Sequence, residues 1–136
     1  MDAFDADVII YAAVVDHPLG RRVRTLFDVV QGVHAGTGSV VLLPEVLAKP
    51  MRDGATHEVA ALVGLLSRLD LRPVDAVTAE VATSLAATHR LRAADALHLA
   101  TAVVMGADRF ITNNRRDFGP SITEIDVVHP DALAEP

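Results

Sequence analysis

The chain of 136 residues contains no cysteine. Disulfides, thiolate metal sites and a cysteine nucleophile are therefore excluded. Any metal would have to bind to oxygen or imidazole ligands, which favours hard ions such as magnesium or manganese. Aromatic residues are also scarce, at 4%, although 51% of the residues are hydrophobic. A single domain spanning 1–136 must therefore build its core mainly from aliphatic side chains.

Long apolar runs and a targeting segment are absent as well. No stretch approaches the roughly 18 apolar residues that a membrane-spanning helix needs. The opening Met-Asp-Ala-Phe-Asp has no basic segment followed by an apolar run, unlike a signal peptide. We therefore expect a cytoplasmic protein with no membrane partner.

Basic residues are outnumbered by acidic ones, 12 against 18, and the formal net charge is −6. Taken alone, this charge argues against a general nucleic-acid binder. A site that gathers acids around a metal is itself negative, however, and the bound ion reverses the local sign. Three arginines cluster at Arg21, Arg22 and Arg24. The cluster is either a solvated face, a nucleic-acid backbone contact or part of a partner groove.

Short apolar runs alternate with longer helical patterns, which predicts an α/β domain with a parallel sheet. Strands are expected at 3–4, 39–43, 69–74, 109–112 and 125–128, and helices at 7–15, 44–50, 56–69, 75–89 and 93–106. Asp7 is expected to cap the first helix and Gly106 to cap the last. Gly36-Thr37-Gly38 is expected to form a turn, Pro50 to end a helix, and the tail after Pro130 to be loose.

Another helix should begin at Pro18, because proline suits the first helical turn. Its apolar face is predicted from the spacing of four residues, Val23, Leu26, Phe27 and Val30.

Acidic residues stand where predicted strands end or helices begin. Ligands of open parallel sheets bind beyond the carboxyl ends of the strands, so acids placed there should meet. Carboxylates are the natural anionic ligands of a divalent ion, and such ions assist phosphodiester hydrolysis. The candidate acids are Asp5, Glu45, Asp95 and Asp117.

Each of these acids also has a purely structural interpretation. Glu45 and Asp95 could simply be first-turn helix acids, and Asp117 a solvated loop residue. Asp7 is more readily explained as a helix cap than as a ligand. His98 follows Asp95 by three residues on nearly the same helix face, where a packing or supporting role is favoured. Only the combination of strand-end positions indicates a site.

Three blocks of sequence resemble the VapC-like branch of the PIN-domain family. The opening Phe-Asp-Ala-Asp-Val-Ile-Ile-Tyr at 4–11 resembles a strand that ends in aspartate before an apolar helix. The stretch 91–102 resembles the helix that carries the third acid, and 106–118 resembles the C-terminal signature. Glu45 stands where the family has its second acid. The similarity covers most of the chain.

The resemblance implies a three-layer α/β/α sandwich whose parallel sheet has four to five strands. It implies an Mg²⁺-dependent endoribonuclease, with Mn²⁺ as a substitute, that leaves a 5′-phosphate and a 3′-hydroxyl. It also implies a homodimer that is a toxin inhibited by a VapB-like antitoxin. The implied metal ligands are Asp5, Asp95 and Asp117, with Glu45 as a further catalytic acid. The implied supporting residues are Asp7, Thr112, Asn113 and Asn114.

One position departs from the family pattern. Asn114 stands where a branch of the family carries its fourth acid, so that either Asp117 or Asn114 fills this position. A PIN-like module that binds RNA or protein without catalysis is therefore an alternative. The Asp5-Ala6-Asp7 pattern also resembles aspartate-based phosphatases, and acids at strand ends resemble receiver domains. Both of these expect a later lysine, and Lys49 is the only lysine.

Overall fold

The computed structural model of the chain describes residues 1–28 and 32–136. Five short strands form one parallel sheet in the order β3-β2-β1-β4-β5. The strands are β1 (Asp2–Phe4), β2 (Gly36–Ser39), β3 (Leu69–Arg72), β4 (Arg109–Ile111) and β5 (Asp126–Val128). The first strand of the chain therefore lies at the centre of the sheet.

Helices cover both faces of this sheet. They are α1 (Ala6–Ala13), α2 (Pro18–Thr25), α3 (Leu42–Arg52), α4 (Thr56–Leu66), α5 (Ala76–His89) and α6 (Ala93–Val104), with a 3-10 helix at Pro130–Ala132. No helix within 1–28 and 32–136 is long and apolar enough to cross a membrane.

Two separate apolar cores follow from the alternation of side chains along the strands. Phe4 and Ile111 face a core shared with α1 to α4, whereas Ala3 and Phe110 face a core shared with α5 and α6. Neighbouring residues of a strand point to opposite faces, so β1 and β4 each contribute side chains to both cores. The predicted three-layer α/β/α sandwich is confirmed, with a sheet of five strands.

The second strand begins earlier than predicted. The expected turn at 36–38 is wrong because these residues belong to β2, and the expected strand at 39–43 overlaps the start of α3. The glycines are needed here because neighbouring atoms pack too closely to leave room for a side chain. A Cβ on Gly36 would lie 2.3 Å from the Asp2 carbonyl oxygen, and one on Gly38 would lie 2.5 Å from Leu42 Cδ1. Glycine in a strand marks such a close approach as well as a turn.

Two helix boundaries also differ from the prediction. Asp5 caps α1, since its Oδ1 accepts from the Ala6 N–H at 2.8 Å, and Asp7 lies within the first turn. Pro50 lies inside α3 and does not end it. A proline this close to the end of a helix removes only one late backbone bond, the one that residue 50 would donate to Val46.

The start of α2 agrees with the prediction, and the end of α6 lies close to the predicted position. α2 begins at Pro18 as predicted, and Phe27 is buried beyond its end, whereas Val30 lies outside the described residues. Met105 is the C-cap residue of α6 where Gly106 was predicted, and Gly106 follows it with φ 65°. The two backbone bonds there, from Gly106 to Val103 and from Ala107 to Ala102, are those of a glycine-terminated helix.

The C-terminal tail is not loose, contrary to the prediction. Arg22 Nη1 donates to the carbonyl oxygens of Asp131 and Leu133, both at 2.9 Å. Leu133 is buried in the core of α1 to α4. The tail is therefore fixed to α2 by both polar and apolar contacts.

Gly36→Ala should lower the free energy of unfolding by about 1 to 3 kcal/mol, because the new methyl group overlaps the backbone of β1. Gly64→Ala is the matched control. Its Cβ would meet no atom, and alanine is about 1 kcal/mol better than glycine inside a helix such as α4. Urea unfolding should therefore show opposite signs for the same substitution, and a stable Gly36→Ala protein would contradict this packing.

Candidate active site

Five acidic side chains converge at the carboxyl end of the sheet. Asp5 follows β1, while Asp7, Glu45 and Asp95 lie in the first turns of α1, α3 and α6. Asp117 lies in the turn after β4. The Asp95 carboxylate interacts electrostatically with those of Asp5, Asp117 and Glu45. The four acids predicted from strand-end positions are therefore neighbours, and Asp7 joins them.

Asp5 is the most buried of these acids, with 4% of its surface exposed. Its Oδ1 accepts from the Ala6 N–H at 2.8 Å, and its Oδ2 accepts from Thr112 Oγ1 at 2.7 Å. Burial raises the pKa of Asp5, while His98 and these two hydrogen bonds oppose the shift. Thr112 Oγ1 also accepts from the Asn114 N–H at 3.1 Å. Thr112, one of the supporting residues implied by the resemblance, thus contacts both Asp5 and Asn114.

Asp7 faces the same site and does not cap its helix. The Asn113 N–H donates to Asp7 Oδ2 at 3.1 Å, whereas Oδ1 is buried and has no hydrogen-bond partner among the described residues. Burial first, and then the charge of Asp5, raise the pKa of Asp7 to about 7. Asp7 therefore lies beside Asp5 with one carboxylate oxygen that no described residue hydrogen-bonds.

Glu45 is held by a histidine from the opposite layer. His98 Nε2 forms a hydrogen bond with Glu45 Oε2, and His98 is buried while its Nδ1 has no partner among the described residues. Burial lowers the pKa of His98, but the Glu45 hydrogen bond and the nearby charges of Asp5 and Asp95 together raise it. The sequence predicted a packing or supporting role for His98 without identifying its partner.

Asp117 and Asn114 form a reciprocal pair. Asn114 Nδ2 donates to Asp117 Oδ2 at 2.9 Å, and the Asp117 N–H donates to Asn114 Oδ1 at 3.1 Å. The two candidates for the fourth position of the site are therefore direct neighbours. Asp117 lies near Asp95, whose pKa is raised by burial and by Asp5, followed by Asp117.

Residues 3–119 match the sequence model of the PIN domain. This chain belongs to the PIN-domain family. The resemblance noted in three sequence blocks is thereby confirmed over most of the chain. Membership disfavours the aspartate-based phosphatase and the receiver domain as alternatives, because both belong to other folds.

Several solved structures are similar to this chain in fold over nearly their whole length. A toxin–antitoxin complex from Klebsiella pneumoniae is 22% identical, covers 96% of this chain and 98% of its own, and has a TM-score of 0.73. DNA-bound VapBC from Salmonella typhimurium is 20% identical, with coverages of 95% and 97% and a TM-score of 0.74. VapBC2 from Rickettsia felis, bound to a DNA fragment from its promoter, is 18% identical. It covers 94% of this chain and 97% of its own, with a TM-score of 0.71. No curated protein matches the chain in sequence.

The donor chemistry of this PIN-domain site fits a hard divalent cation. The converging ligand atoms are carboxylate oxygens, and Asp7 Oδ1 is buried without a partner among the described residues. Within 1–28 and 32–136, however, no three His, Asp or Glu side chains are arranged so that they could already hold a metal ion. The Glu45 carboxylate is hydrogen-bonded to His98, and the Asp117 carboxylate is hydrogen-bonded to Asn114. A bound ion would have to draw such side chains together.

Two residues near the site were missed by sequence reasoning. His129 Nδ1 donates to the Thr112 carbonyl oxygen at 2.8 Å, and Asn113 Nδ2 donates to the Tyr11 hydroxyl at 3.4 Å. Both contacts support the segment 112–114 that holds the acids. His129 acts on a backbone carbonyl, which carries no sequence signal. Tyr11 was noticed only as part of the family motif.

Thr112→Val should lower the free energy of unfolding by about 1 to 3 kcal/mol. Valine keeps the shape but leaves Asp5 Oδ2 and the Asn114 N–H without their shared partner. Thr83→Val is the matched control, because the Thr83 hydroxyl is exposed and bonds only within α5. Urea unfolding of both variants at pH 7 measures the difference, and equal stabilities would contradict the supporting role of Thr112.

The stability of the metal-free protein should fall as the pH rises, and Asp7 should cause part of the fall. Its pKa is raised from 3.8 to about 7, so between these values the folded state holds a proton that the unfolded chain has released. Its favourable contribution is complete below about pH 4 and is lost as the pH rises through 7.

Asp7→Asn should therefore flatten the profile of unfolding free energy between pH 5 and 8, by on the order of 2 kcal/mol. Urea unfolding in the presence of a chelator measures this profile. Asp126→Asn changes an exposed aspartate of β5 and should leave the slope as it is. Parallel profiles for Asp7→Asn and the parent would show that Asp7 does not carry the effect.

Proposed function

We propose that this PIN domain is an Mg²⁺-dependent endoribonuclease and the toxin component of a VapBC-type toxin–antitoxin system. The observation that carries the proposal is the convergence of carboxylates around Asp95 at the carboxyl end of the sheet. Like charges held this close in a partly buried site are costly unless a cation joins them. The arrangement therefore favours a metal-dependent reaction over a general binding surface.

The proposed metal ligands are Asp5, Asp95 and Asp117, with Glu45 acting directly or through water. Mg²⁺ is the proposed ion and Mn²⁺ its substitute, because both prefer oxygen ligands. When bound, the ion would supply the Lewis acidity that hydrolysis of a phosphodiester needs. The same positive charge would offset the repulsion between this acidic site and a polyanionic substrate.

Neutral donors of the chain orient these acids. Thr112 and the Ala6 N–H fix both oxygens of Asp5, and Asn114 fixes Asp117. His98 orients Glu45 from the layer of α6. Residues that contact a metal's ligands in this way commonly change metal affinity or activity by about 10- to 100-fold when they are replaced.

A VapB-like antitoxin is the proposed protein partner, and a homodimer is the proposed assembly. The similarity of the whole chain to a toxin–antitoxin complex and to VapBC complexes supports the antitoxin. The dimer rests on the family resemblance. Inhibition of a cytoplasmic ribonuclease by a bound partner is consistent with an exposed edge at the acidic site, where the Glu45 side chain is 35% accessible.

A catalytically impaired PIN-like module that binds RNA or protein is the second candidate. The observation that favours it is the pairing of Asp117 with Asn114, which occupies Asp117 Oδ2 in the absence of an ion. Metal-dependent cleavage of RNA separates the two candidates. In a ribonuclease, the ion must displace Asn114 from Asp117 Oδ2. In a binding module, this hydrogen bond can stay in place.

Purified protein should cut total cellular RNA into discrete fragments with Mg²⁺ or Mn²⁺ and should be inactive with chelator. Asp5→Asn and Asp95→Asn should each lower the rate by more than about 100-fold, because even outer-shell replacements cost about 10- to 100-fold. Asp126→Asn is the matched control on the exposed surface and should cut at the parental rate. Fragment ends should be 5′-phosphate and 3′-hydroxyl.

Two results would contradict the proposal in different ways. Cleavage by Asp5→Asn at the parental rate would show that the acidic site is not the active site. A folded protein that binds metal, detected as a rise in its melting temperature with Mn²⁺, but cuts no RNA would favour the binding module.

A further inference from the structure

We propose that Tyr11 and His17 form a stacking platform for one unpaired base of the RNA strand beside the acidic site. The proposal rests on the ribonuclease function and names a substrate-binding position within it. The two rings are stacked, with centroids 4.3 Å apart and planes inclined by 11°. Tyr11 belongs to α1, and His17 is the residue that caps α2.

The chain places no other Phe, Tyr or Trp ring at its surface. It has four phenylalanines, one tyrosine and no tryptophan, all of them within the described residues. The phenylalanines are buried in the two cores, with at most 6% of their surface exposed. Tyr11 and His17 are half-buried. Among the described residues, Tyr11 is therefore the only phenyl, phenol or indole ring open to solvent, and it is stacked on a histidine.

The platform is joined to the acidic site through Asn113. Its side-chain nitrogen donates to the Tyr11 hydroxyl at 3.4 Å, and its backbone N–H donates to Asp7 Oδ2 at 3.1 Å. Asp7 in turn interacts with Asp5. Asn113 thus links the Tyr11 ring to the acids. An RNA strand bound for cleavage at the acids would therefore place a neighbouring base next to the two rings.

The backbone around the two rings is fixed before any ligand binds. A Cβ on Gly20 would lie 2.0 Å from the Tyr11 carbonyl oxygen, so only glycine lets α2 approach α1 this closely. The Gly20 N–H donates to His17 Nδ1 at 3.1 Å and holds the imidazole in place. Arg24 donates to the carbonyl oxygens of Ala12, Val14 and Val15 and closes the connection between the helices. A rigid platform loses little conformational entropy when a base stacks on it.

The polar groups of the platform suit RNA as well. Because His17 Nδ1 accepts a hydrogen bond, the neutral imidazole carries its proton on Nε2, where it can donate to a base edge or a phosphate. Arg21 follows His17 by one helical turn, on the same side of α2, and is exposed. Its guanidinium can contact the backbone of the same strand.

The test uses the single tyrosine as its own probe. Since the chain has no tryptophan, tyrosine emission reports on Tyr11 alone. In the Asp5→Asn background with Mg²⁺, an oligoadenylate of about eight nucleotides should quench this emission on binding, and an abasic oligomer of equal length should not. Fluorescence anisotropy of labelled oligoadenylate gives the Kd.

Two substitutions remove the rings in different ways. His17→Asn keeps an oxygen that can cap α2 but removes the imidazole, and Tyr11→Leu keeps apolar volume but removes the phenol. Each should weaken oligoadenylate binding about tenfold, and in the active protein each should raise KM about tenfold with little change in kcat. His57→Asn is the matched control, because His57 is exposed on α4. Circular dichroism melting checks that the variants fold.

The outcomes separate this proposal from the ribonuclease proposal. If the parent cuts RNA while both ring variants keep its KM, or if the abasic oligomer quenches Tyr11 equally, the platform is wrong and the ribonuclease stands. If the parent neither binds nor cuts RNA, both proposals fail. Loss of affinity in both ring variants, with base-dependent quenching, would support the platform.

Discussion

Repulsion between carboxylates at one end of the sheet is the constraint on which the rest of this PIN domain depends. Asp5, Asp7 and Asp95 all have raised pKa values, chiefly through burial, and each lies in the field of another. Most of the donors that hold the acids come from Thr112, Asn113 and Asn114. The parallel pairing of β1 with β4 brings these donors to the acids, and the two cores fix that pairing.

Much of the site follows from the sequence, because strand ends of a parallel sheet share one edge. Asp5 could be placed by this rule alone, whereas Asp95 begins a helix that follows another helix and was assigned with the help of the family pattern. Asn114 was recognised beside Asp117 from the same pattern. The pairing of Glu45 with His98 could not be predicted. The two residues are 53 positions apart on different layers, and nothing in their local sequence marks the contact.

The errors in the predicted fold have local physical causes. Gly36 and Gly38 have the sequence signature of a turn, but they satisfy close packing in β2. Asp5 and Asp7 both suit a helix cap, and a shift of two positions in the start of the helix decides which of them caps it. The fixed tail depends on Arg22, whose bonds to Asp131 and Leu133 span more than one hundred residues. Sequence periodicity contains no information about such distant pairs.

The central position of β1 has a consequence for synthesis on the ribosome. β1 leaves the ribosome well before β4, with which it pairs, and Thr112 reaches Asp5 across a separation of 107 residues. A nascent chain can form α1 to α4 early, but it cannot assemble the acidic edge until nearly the whole domain has emerged. Any activity of this edge is thereby withheld from incomplete chains, and a message truncated before codon 112 would yield a product without it.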